Sequence, residues 1–248
     1  MFDLSIEARV ARLTLSRPEA RNAISAGGWG ELASLAVQAV EAGARVLILS
    51  SEAGGPFCAG ADIADFGRFR GEPEARTAFR LAIRDGLGRL RDLGVPTIAL
   101  VEGACYGAGV ALAMACDIRI AGAGAGFAIT PAKLGISYPQ EDVHRLVSLV
   151  GPGQAARLLL SAGRIDGSEA ARIGLVELYS ETAAEAAASG LAQAIAANDP
   201  GSLETLKRAV GLAAAGVRQN EGQNRAFDDL LGSEALERRL EAYRGRAR

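Results

Sequence analysis

The distribution of apolar and polar residues along the chain predicts strand–helix units first and a run of helices last. Short apolar runs at 44–50 and Thr97–Val101 are typical of buried parallel strands. The alternation at 4–7 and Val10–Leu15 predicts two more strands near the N-terminus. From residue 181 onward the pattern is helical. This order favours an α/β fold with a partly parallel sheet, which the C-terminal helices cap or connect to another subunit.

Amphipathic segments and their end signals predict the remaining elements. Pro139 begins a helix that ends at Gly151, and its apolar positions form one face. That face comprises Val143, Leu146, Val147 and Val150. Other predicted helices span 25–42, 75–93, 154–161, 168–173, 182–197, 202–214, 217–231 and 233–244. Further predicted strands span 118–121, 127–129 and 175–179.

The composition describes a chain that can bury a full core and has little net charge. Of 248 residues, 49% are apolar, and 27 basic against 29 acidic side chains give a net charge of −2. This balance argues against binding to nucleic acid or to an anionic membrane. Three cysteines without C-x-x-C spacing and a single histidine argue against a metal site. The N-terminus lacks the segments of a secretion signal and no apolar run reaches about 18 residues, so we expect a cytoplasmic protein.

Two glycine-containing loops follow the two buried strands. Residues 57–63 form the first loop, and Gly103, Gly107 and Gly109 shape the second, which leads into an apolar helix. Free N–H groups at a helix N-terminus suit an anion, a phosphate or a developing oxyanion. A dinucleotide-binding fingerprint requires glycine or alanine at position 112, where this chain has Leu112. Two interpretations remain, namely an oxyanion site built by both loops and simple tight turns.

Four segments, in this order, resemble the crotonase superfamily, the enoyl-CoA hydratase/isomerase family. They are S-R-P-E-A-R-N-A-I-S at 16–25, F-C-A-G-A-D-I at 57–63, V-E-G-A-C-Y-G-A-G-V-A-L-A-M-A-C-D at 101–117 and A-R-I-G-L-V at 171–176. The resemblance covers almost the whole chain and implies a spiral of ββα units over 1–180. It also implies that 181–248 is a helical trimerisation region of the same domain, and that the protein forms a homotrimer or a dimer of trimers.

The resemblance further implies an acyl-coenzyme A thioester as the substrate. The thioester oxygen would accept hydrogen bonds from the backbone N–H groups of Ala61 and Ala108, which form an oxyanion hole. Coenzyme A enters as part of the substrate, and no permanently bound cofactor is expected. The positions that match the family's coenzyme A contacts are Ala20, Arg21, Ala59, Asp62 and Ile63.

The departures from the family pattern bear on the reaction. Hydratases of the family carry two glutamates, and the matching positions here are Ala111 and Pro131. Hydration needs one group to activate water and another to deliver a proton, so their loss argues against it. The segment T-P-x-x-L-G-x-x-Y ending at Tyr138 resembles the methylmalonyl-CoA decarboxylase branch. We therefore expect lyase or decarboxylase chemistry on a carboxylated or 3-oxo acyl-CoA, with Tyr138 beside the substrate.

Alternatives remain for both the reaction and the residues. Glu141, Asp142 and His144 form a second acid/base set, with which the protein would hydrate or isomerise an enoyl-CoA. Loss of both glutamates is also expected of a catalytically silent protein that binds coenzyme A thioesters. Tyr138 as a packing aromatic and His144 as an exposed histidine are the structural interpretations of these two residues.

Overall fold

The computed structural model describes residues 1–246, which contain nine strands in two sheets. The strands are β1 (Phe2–Glu7), β2 (Val10–Leu15), β3 (Val46–Ser51), β4 (Thr97–Val101), β5 (Ala104–Tyr106), β6 (Ile118–Gly122), β7 (Gly126–Ala128), β8 (Ile165–Asp166) and β9 (Leu178–Ser180). The larger sheet has the order β1-β2-β3-β4-β6-β9, and the smaller has the order β5-β7-β8. In the larger sheet β1 and β2 pair antiparallel, and every later pair is parallel.

The described helices lie between the strands and after them. They are α1 (Gly28–Glu41), α2 (Pro73–Arg91), α3 (Ala108–Ala115), α4 (Gln140–Ser161), α5 (Gly167–Arg172), α6 (Ala184–Ala196), α7 (Pro200–Ala214), α8 (Glu221–Leu231) and α9 (Glu234–Arg246). Short 3₁₀ turns occur at Pro18–Ala20, Ile63–Arg68 and Pro131–Leu134. No helix within 1–246 is both long and apolar enough to cross a membrane.

The core lies on both faces of the larger sheet, which explains the continuous apolar runs of β3 and β4. On one face α6 packs against the sheet through small side chains spaced four residues apart. These are Ala184, Ala188, Ala192 and Ala196. On the other face the sheet meets α1, α2 and α3, where Trp29, Leu87 and Leu112 are buried.

The structure confirms the predicted α/β fold and corrects some of its boundaries. The predicted strand at 175–179 is instead β9, and the first residues of that segment are buried before the strand begins. Strands β5 and β8 were not predicted, because they are only three and two residues long. The predicted helix end at Gly151 coincides with a kink in α4, where Gly151 has the non-helical angles φ 74 and ψ 163. The helix predicted at 154–161 lies in the part of α4 beyond this kink.

The C-terminal part of the chain is helical, as the pattern predicted. Helices α6 to α9 occupy this part, and residues 247 and 248 of the predicted region 181–248 lie outside the described residues. The division at residue 180 and the trimerisation role of this region stay predictions. For the site, the important feature is that the adjacent parallel strands β3 and β4 send their following loops to the same edge of the sheet.

Candidate active site

The two glycine-containing loops meet beyond the ends of β3 and β4. The Cys58 N–H donates to the Ala104 carbonyl oxygen at 3.0 Å, and the Tyr106 N–H donates to the Cys58 carbonyl oxygen at 2.8 Å. A Cβ added to Gly60 would lie 2.8 Å from the Tyr106 oxygen and 3.0 Å from the Ala108 nitrogen. Backbone atoms of both loops are therefore in direct contact, and a side chain at Gly60 would separate them.

Glycine is also required where the second loop enters α3. Gly107 has φ +52, in the left-handed region that favours glycine, and its N–H donates to the Ala128 carbonyl oxygen at 2.9 Å. A Cβ on Gly109 would lie only 2.4 Å from the Cys58 carbonyl oxygen. The G-A-G sequence thus lets α3 begin directly against the first loop.

The predicted oxyanion donors, Ala61 and Ala108, lie on these two loops. Ala108 is the first residue of α3, so its N–H has no partner inside the helix. Around Ala61, the Ile24 N–H donates to the Gly60 oxygen at 2.8 Å and the Asp62 N–H donates to the Ile24 oxygen at 2.9 Å. No acceptor within residues 1–246 receives the N–H of Ala61 or of Ala108. Both donors therefore remain available to an external oxygen.

A cavity of about 510 Å³ contains both predicted donors in its lining. We call residues 58–61 and 104–109 the inner wall, because buried backbone forms it. The outer wall consists of side chains from the segments 63–83 and 130–142. The lining residues are Ala59, Gly60, Ala61, Ile63, Phe66, Arg76, Phe79, Arg80, Ile83, Gly107, Ala108, Thr130, Pro131, Leu134, Ile136, Ser137, Tyr138, Pro139 and Asp142.

Tyr138 connects the two walls. It lines the cavity, and its hydroxyl donates to the Gly107 carbonyl oxygen at 2.9 Å. The Gly107 carbonyl and the Ala108 N–H belong to one trans peptide unit and point in opposite directions. The hydrogen bond therefore fixes the direction of the Ala108 N–H. Burial raises the pKa of the Tyr138 phenol well above its ordinary value, so the hydroxyl keeps its proton.

Asp142 supplies a carboxyl group to the same cavity. It lies in the first turn of α4, is only 8% exposed and lines the cavity. Burial raises its pKa from 3.8 to about 6, and the nearby Glu141 charge adds to this shift. The cations that act in the opposite direction are Arg145 and Arg91. A carboxyl group with a pKa near neutrality can both accept and return a proton.

The other two members of the predicted acid/base set lie outside the cavity. Glu141 and His144 are exposed on α4 and are not part of the cavity lining. The predicted apolar face of this helix began at Val143, whereas the fully buried positions are Asp142, Leu146 and Val150. The predicted start of the buried face was therefore wrong by one position. Asp142 lies four residues before Leu146 and therefore on the same buried face of the helix. A pattern of apolar positions cannot predict a buried carboxyl group.

The two positions where family hydratases carry glutamate differ in their surroundings. Ala111 is 2% exposed, lies in α3 and does not line the cavity. Its backbone N–H lowers the pKa of the Tyr138 phenol, against the larger effect of burial. Pro131 lines the cavity but has no titratable group. Of the cavity-lining residues in the described part of the chain, Asp142 alone carries a carboxyl group.

The predicted coenzyme A contacts lie around the first loop. The Ala59 N–H donates to the Arg21 carbonyl oxygen at 3.0 Å, so residues 20–21 and 59 are adjacent. Asp62 accepts from the Ala64 N–H at 3.0 Å and from the Arg17 guanidinium at 2.7 Å. These bonds lower the Asp62 pKa, the Ala64 bond most strongly. The predicted contacts, Ala20, Arg21, Ala59, Asp62 and Ile63, thus lie around the same loop. Of these, Ile63 is 69% exposed.

The cysteines beside the loops are packing residues. Burial raises the pKa of Cys58 to about 12 and that of Cys105 well above its ordinary value. A thiol that stays protonated is a poor nucleophile. In the described part of the chain, no group of three or more histidine, cysteine, aspartate or glutamate side chains could hold a metal ion.

The part of the outer wall that comes from α2 was not predicted from the sequence. Arg76, Phe79, Arg80 and Ile83 line the cavity, and Phe79 packs on Phe66 with ring centroids 5.7 Å apart. Their spacing of three, four and seven residues places them on one helical face. This spacing was the available signal, but a mixed basic and aromatic face does not stand out in a pattern of apolar positions.

Comparison with known proteins identifies the family. Residues 5–246 match the family model for enoyl-CoA hydratase/isomerase. An enoyl-CoA isomerase/hydratase of Zymoseptoria tritici is 31% identical over 94% of this chain and 83% of its own. A probable enoyl-CoA hydratase of Mycobacterium tuberculosis is 36% identical over 77% of this chain and 75% of its own.

The fold comparison agrees with the sequence comparison. The structure of a putative enoyl-CoA hydratase/isomerase family protein from Hyphomonas neptunium has a TM-score of 0.93 and 33% identity, over 99% of this chain and 95% of its own. The narrower resemblance to the decarboxylase branch stays a prediction. With its paired loops, free N–H groups and these matches, the chain belongs to the enoyl-CoA hydratase/isomerase family and has the crotonase fold.

Proposed function

We propose that the protein moves a proton at the α-carbon of an acyl-CoA thioester and thereby isomerises a double bond in an enoyl-CoA. The observation that carries this proposal is Asp142, a buried carboxyl group in the cavity that also contains Ala61 and Ala108. The raised pKa of Asp142, about 6, suits a group that gains and loses a proton in one turnover.

The proposed reaction uses one carboxyl group twice. The Asp142 carboxylate removes a proton from C2 of a 3-enoyl-CoA, and the electron pair of that C–H bond moves to the thioester oxygen. The N–H groups of Ala61 and Ala108 stabilise the resulting enolate. Asp142 then returns the proton to C4, which produces the 2-enoyl-CoA. Atoms and electrons balance without water or a further reactant.

Hydration is less well supported than isomerisation. Hydration adds water across the double bond and needs one group for the water and another for the α-proton. The Tyr138 hydroxyl stays protonated and donates a hydrogen bond to the Gly107 oxygen, so it is poorly suited to activate water. The single carboxyl group of the described cavity lining favours a reaction that needs one acid/base group.

Decarboxylation is the second candidate, and the apolar lining of the cavity favours it. Loss of CO₂ from a carboxylated acyl-CoA breaks a carbon–carbon bond and leaves its electron pair on the same enolate. No base is needed for that step, and protonated Asp142 or water can supply the proton that completes it. An apolar pocket favours loss of the charged carboxylate. Tyr138 would hold the Ala108 N–H in place for either reaction.

One panel of substrates separates these functions. The purified protein is incubated with 3-hexenoyl-CoA, crotonyl-CoA, malonyl-CoA and methylmalonyl-CoA, and the products are identified by mass spectrometry. We expect conversion of 3-hexenoyl-CoA to 2-hexenoyl-CoA. Loss of CO₂ from either malonyl thioester, without isomerisation, would replace this proposal by the second candidate. Efficient hydration of crotonyl-CoA would contradict both. Tight binding without any turnover would identify the silent thioester binder.

The role of Asp142 has its own test. We expect Asp142→Asn to lower kcat for isomerisation by about 100-fold or more, because the amide cannot accept the proton. For the wild type, kcat/KM should rise with pH to a plateau with a midpoint near the Asp142 pKa of about 6, since the base is the ionised form. Asp85→Asn, at an exposed position on α2, is the matched control. Equal losses in both variants would contradict the assignment.

We also propose that the C-terminal helices mediate self-association into a homotrimer or a dimer of trimers. The support is a set of apolar side chains on α7 and α8 that stay exposed in the single chain. These are Leu206, Val210, Phe227 and Leu231, with exposed fractions of 62%, 69%, 61% and 58%. Contiguous exposed apolar surface marks interaction sites. Light scattering of the purified protein would give its mass in solution and test the proposed state.

A further inference from the structure

The outer wall of the cavity carries two cationic side chains that the proposed reaction does not use. Arg76 and Arg80 lie on the cavity face of α2, together with Phe79 and Ile83. Proton transfer at the α-carbon needs only the inner wall and Asp142. The two arginines therefore require a different explanation.

Neither arginine has an ion-pair or hydrogen-bond partner among the described residues. Within residues 1–246, no carboxylate lies within ion-pair distance of Arg76 or Arg80, and neither guanidinium donates a hydrogen bond. Two other arginines of the same helix differ, because Arg84 contacts Asp85 at 3.0 Å and Arg91 contacts Asp92 at 3.2 Å. The cations that act on Asp142 are Arg145 and Arg91. The cavity arginines are thus available to an external anion.

Their arrangement has a cost for the helix itself. Arg76 and Arg80 are four residues apart, and like charges at this spacing repel and destabilise a helix. An anion bound between them would remove that repulsion and accept hydrogen bonds from both guanidinium groups. A carboxylate matches the planar fork of a guanidinium and is bound by it in bidentate fashion.

The surroundings of the arginines indicate which kind of ligand brings the anion. Phe66, Phe79 and Ile83 line the same wall with apolar surface, and Asp142 lies in the same cavity. A ligand that spans this cavity from the inner wall would place an apolar chain along these side chains and its far end at α2. The ligand chemistry that fits is an aliphatic chain ending in a carboxylate.

We propose that Arg76 and Arg80 form a subsite for a carboxylate at the far end of the acyl group, so that the substrate is the coenzyme A thioester of a dicarboxylic acid. This inference rests on the proposed function to the extent that an acyl-CoA occupies the cavity. It adds the substrate class, which the inner wall does not specify. The thioester is held at the inner wall, and the distal carboxylate is held by α2.

Binding of saturated thioesters tests the subsite without turnover. Titration calorimetry compares glutaryl-CoA with pentanoyl-CoA, and adipoyl-CoA with hexanoyl-CoA, so that each pair differs in the terminal carboxylate. We expect the wild type to bind at least one dicarboxylic thioester about 10-fold or more tightly than its partner. The double variant Arg76→Gln/Arg80→Gln should bring that ratio close to one and leave the Kd of the monocarboxylic thioester within about 2-fold.

Control variants keep the test specific. Arg84→Gln, on the same helix but paired with Asp85 and outside the cavity lining, should retain the preference. Arg76→Lys/Arg80→Lys keeps both charges and should retain part of the preference, which a misfolded variant would not. Circular dichroism of each variant checks that α2 is intact.

Three results would overturn the subsite. The first is a wild type without preference in either pair. The second is an equal loss of preference in Arg84→Gln. The third is an equal loss of affinity for free coenzyme A and for all thioesters in the double glutamine variant, which would assign the arginines to the phosphates of coenzyme A. Because these are binding measurements, a preference without isomerase activity would remove the proposed reaction and keep the subsite.

Discussion

The inner wall of the cavity is formed by backbone atoms, whereas the outer wall is formed by side chains. The inner wall is buried backbone, in which Gly60 and Gly109 let two loops touch and leave the N–H groups of Ala61 and Ala108 free. The outer wall is made of side chains from 63–83 and 130–142, several of them exposed. In the proposed function, the inner wall stabilises the enolate, whereas the outer wall selects the acyl group and supplies the group that moves the proton. Under this proposal the backbone carries the stabilising N–H groups, and the side chains carry the acid/base group and the selectivity.

The largest effect should come from a single methyl group on the inner wall. Gly60→Ala would place a Cβ 2.8 Å from the Tyr106 oxygen and 3.0 Å from the Ala108 nitrogen, at a residue with φ +104. Because both neighbours are backbone atoms, the backbone around the Ala108 N–H must shift. We expect kcat/KM to fall by about 100-fold or more, as when an oxyanion donor is lost.

A glycine beside the outer wall is the matched control. Gly67 lies in the 3₁₀ turn at Ile63–Arg68 and does not line the cavity, and an added Cβ there would meet nothing within 4 Å. Gly67→Ala should therefore keep kcat/KM within about 2-fold of the wild type. Steady-state kinetics of the two variants gives the comparison. Equal effects of both substitutions would show that the inner wall is not the more constrained one.

An intermediate effect should appear in stability when Asp142 is replaced. The pKa of Asp142 is about 6 in the folded protein against 3.8 ordinarily, so the folded state binds more protons between these values. The contribution of Asp142 to the free energy of unfolding therefore falls as the pH rises from about 4 to about 6. Asp142→Asn removes this loss, and its stability relative to the wild type should increase by roughly 3 kcal/mol over that range.

Urea unfolding at about pH 4 and at about pH 7.5 measures this change. Asp85→Asn, at an exposed carboxyl on α2, should show no such pH-dependent difference from the wild type. If the stability difference between Asp142→Asn and the wild type is the same at both pH values, the carboxyl is not held in a raised-pKa state. A stabilised but inactive variant would show that the outer wall carries function at a cost in stability.

The smallest effect should come from the hydroxyl that joins the two walls. Tyr138→Phe removes the hydrogen bond to the Gly107 oxygen and so loosens the Ala108 N–H. We expect kcat to fall about 10-fold with KM within about 2-fold, because the lost interaction acts on the enolate rather than on the substrate. Tyr179→Phe, at a 39% exposed residue of β9, is the control. An unchanged kcat would make Tyr138 a packing residue.

Much of the fold was predictable because its signals are local. The buried runs of β3 and β4, the glycine turns after them and the helical C-terminal part all depend on neighbouring residues. The short strands β5 and β8 were not predictable, since two or three residues carry no periodicity and their pairing comes from β7. The break of α4 at Gly151 was predictable from the glycine and the proline there, and the helix predicted at 154–161 lies in the part of α4 beyond it.

The sequence by itself determined the inner wall. Small residues are required where two backbone segments are in contact, and the residue types and their order in the sequence therefore predict this wall. Only the tertiary structure decided the outer wall, by turning Asp142 into the cavity and His144 out to solvent, and by aligning Arg76 with Arg80 beside the cavity. The physical reason is that a charged side chain has no apolar signature. Its role depends on which long-range neighbours exclude water from it, and those neighbours come together only in the folded chain.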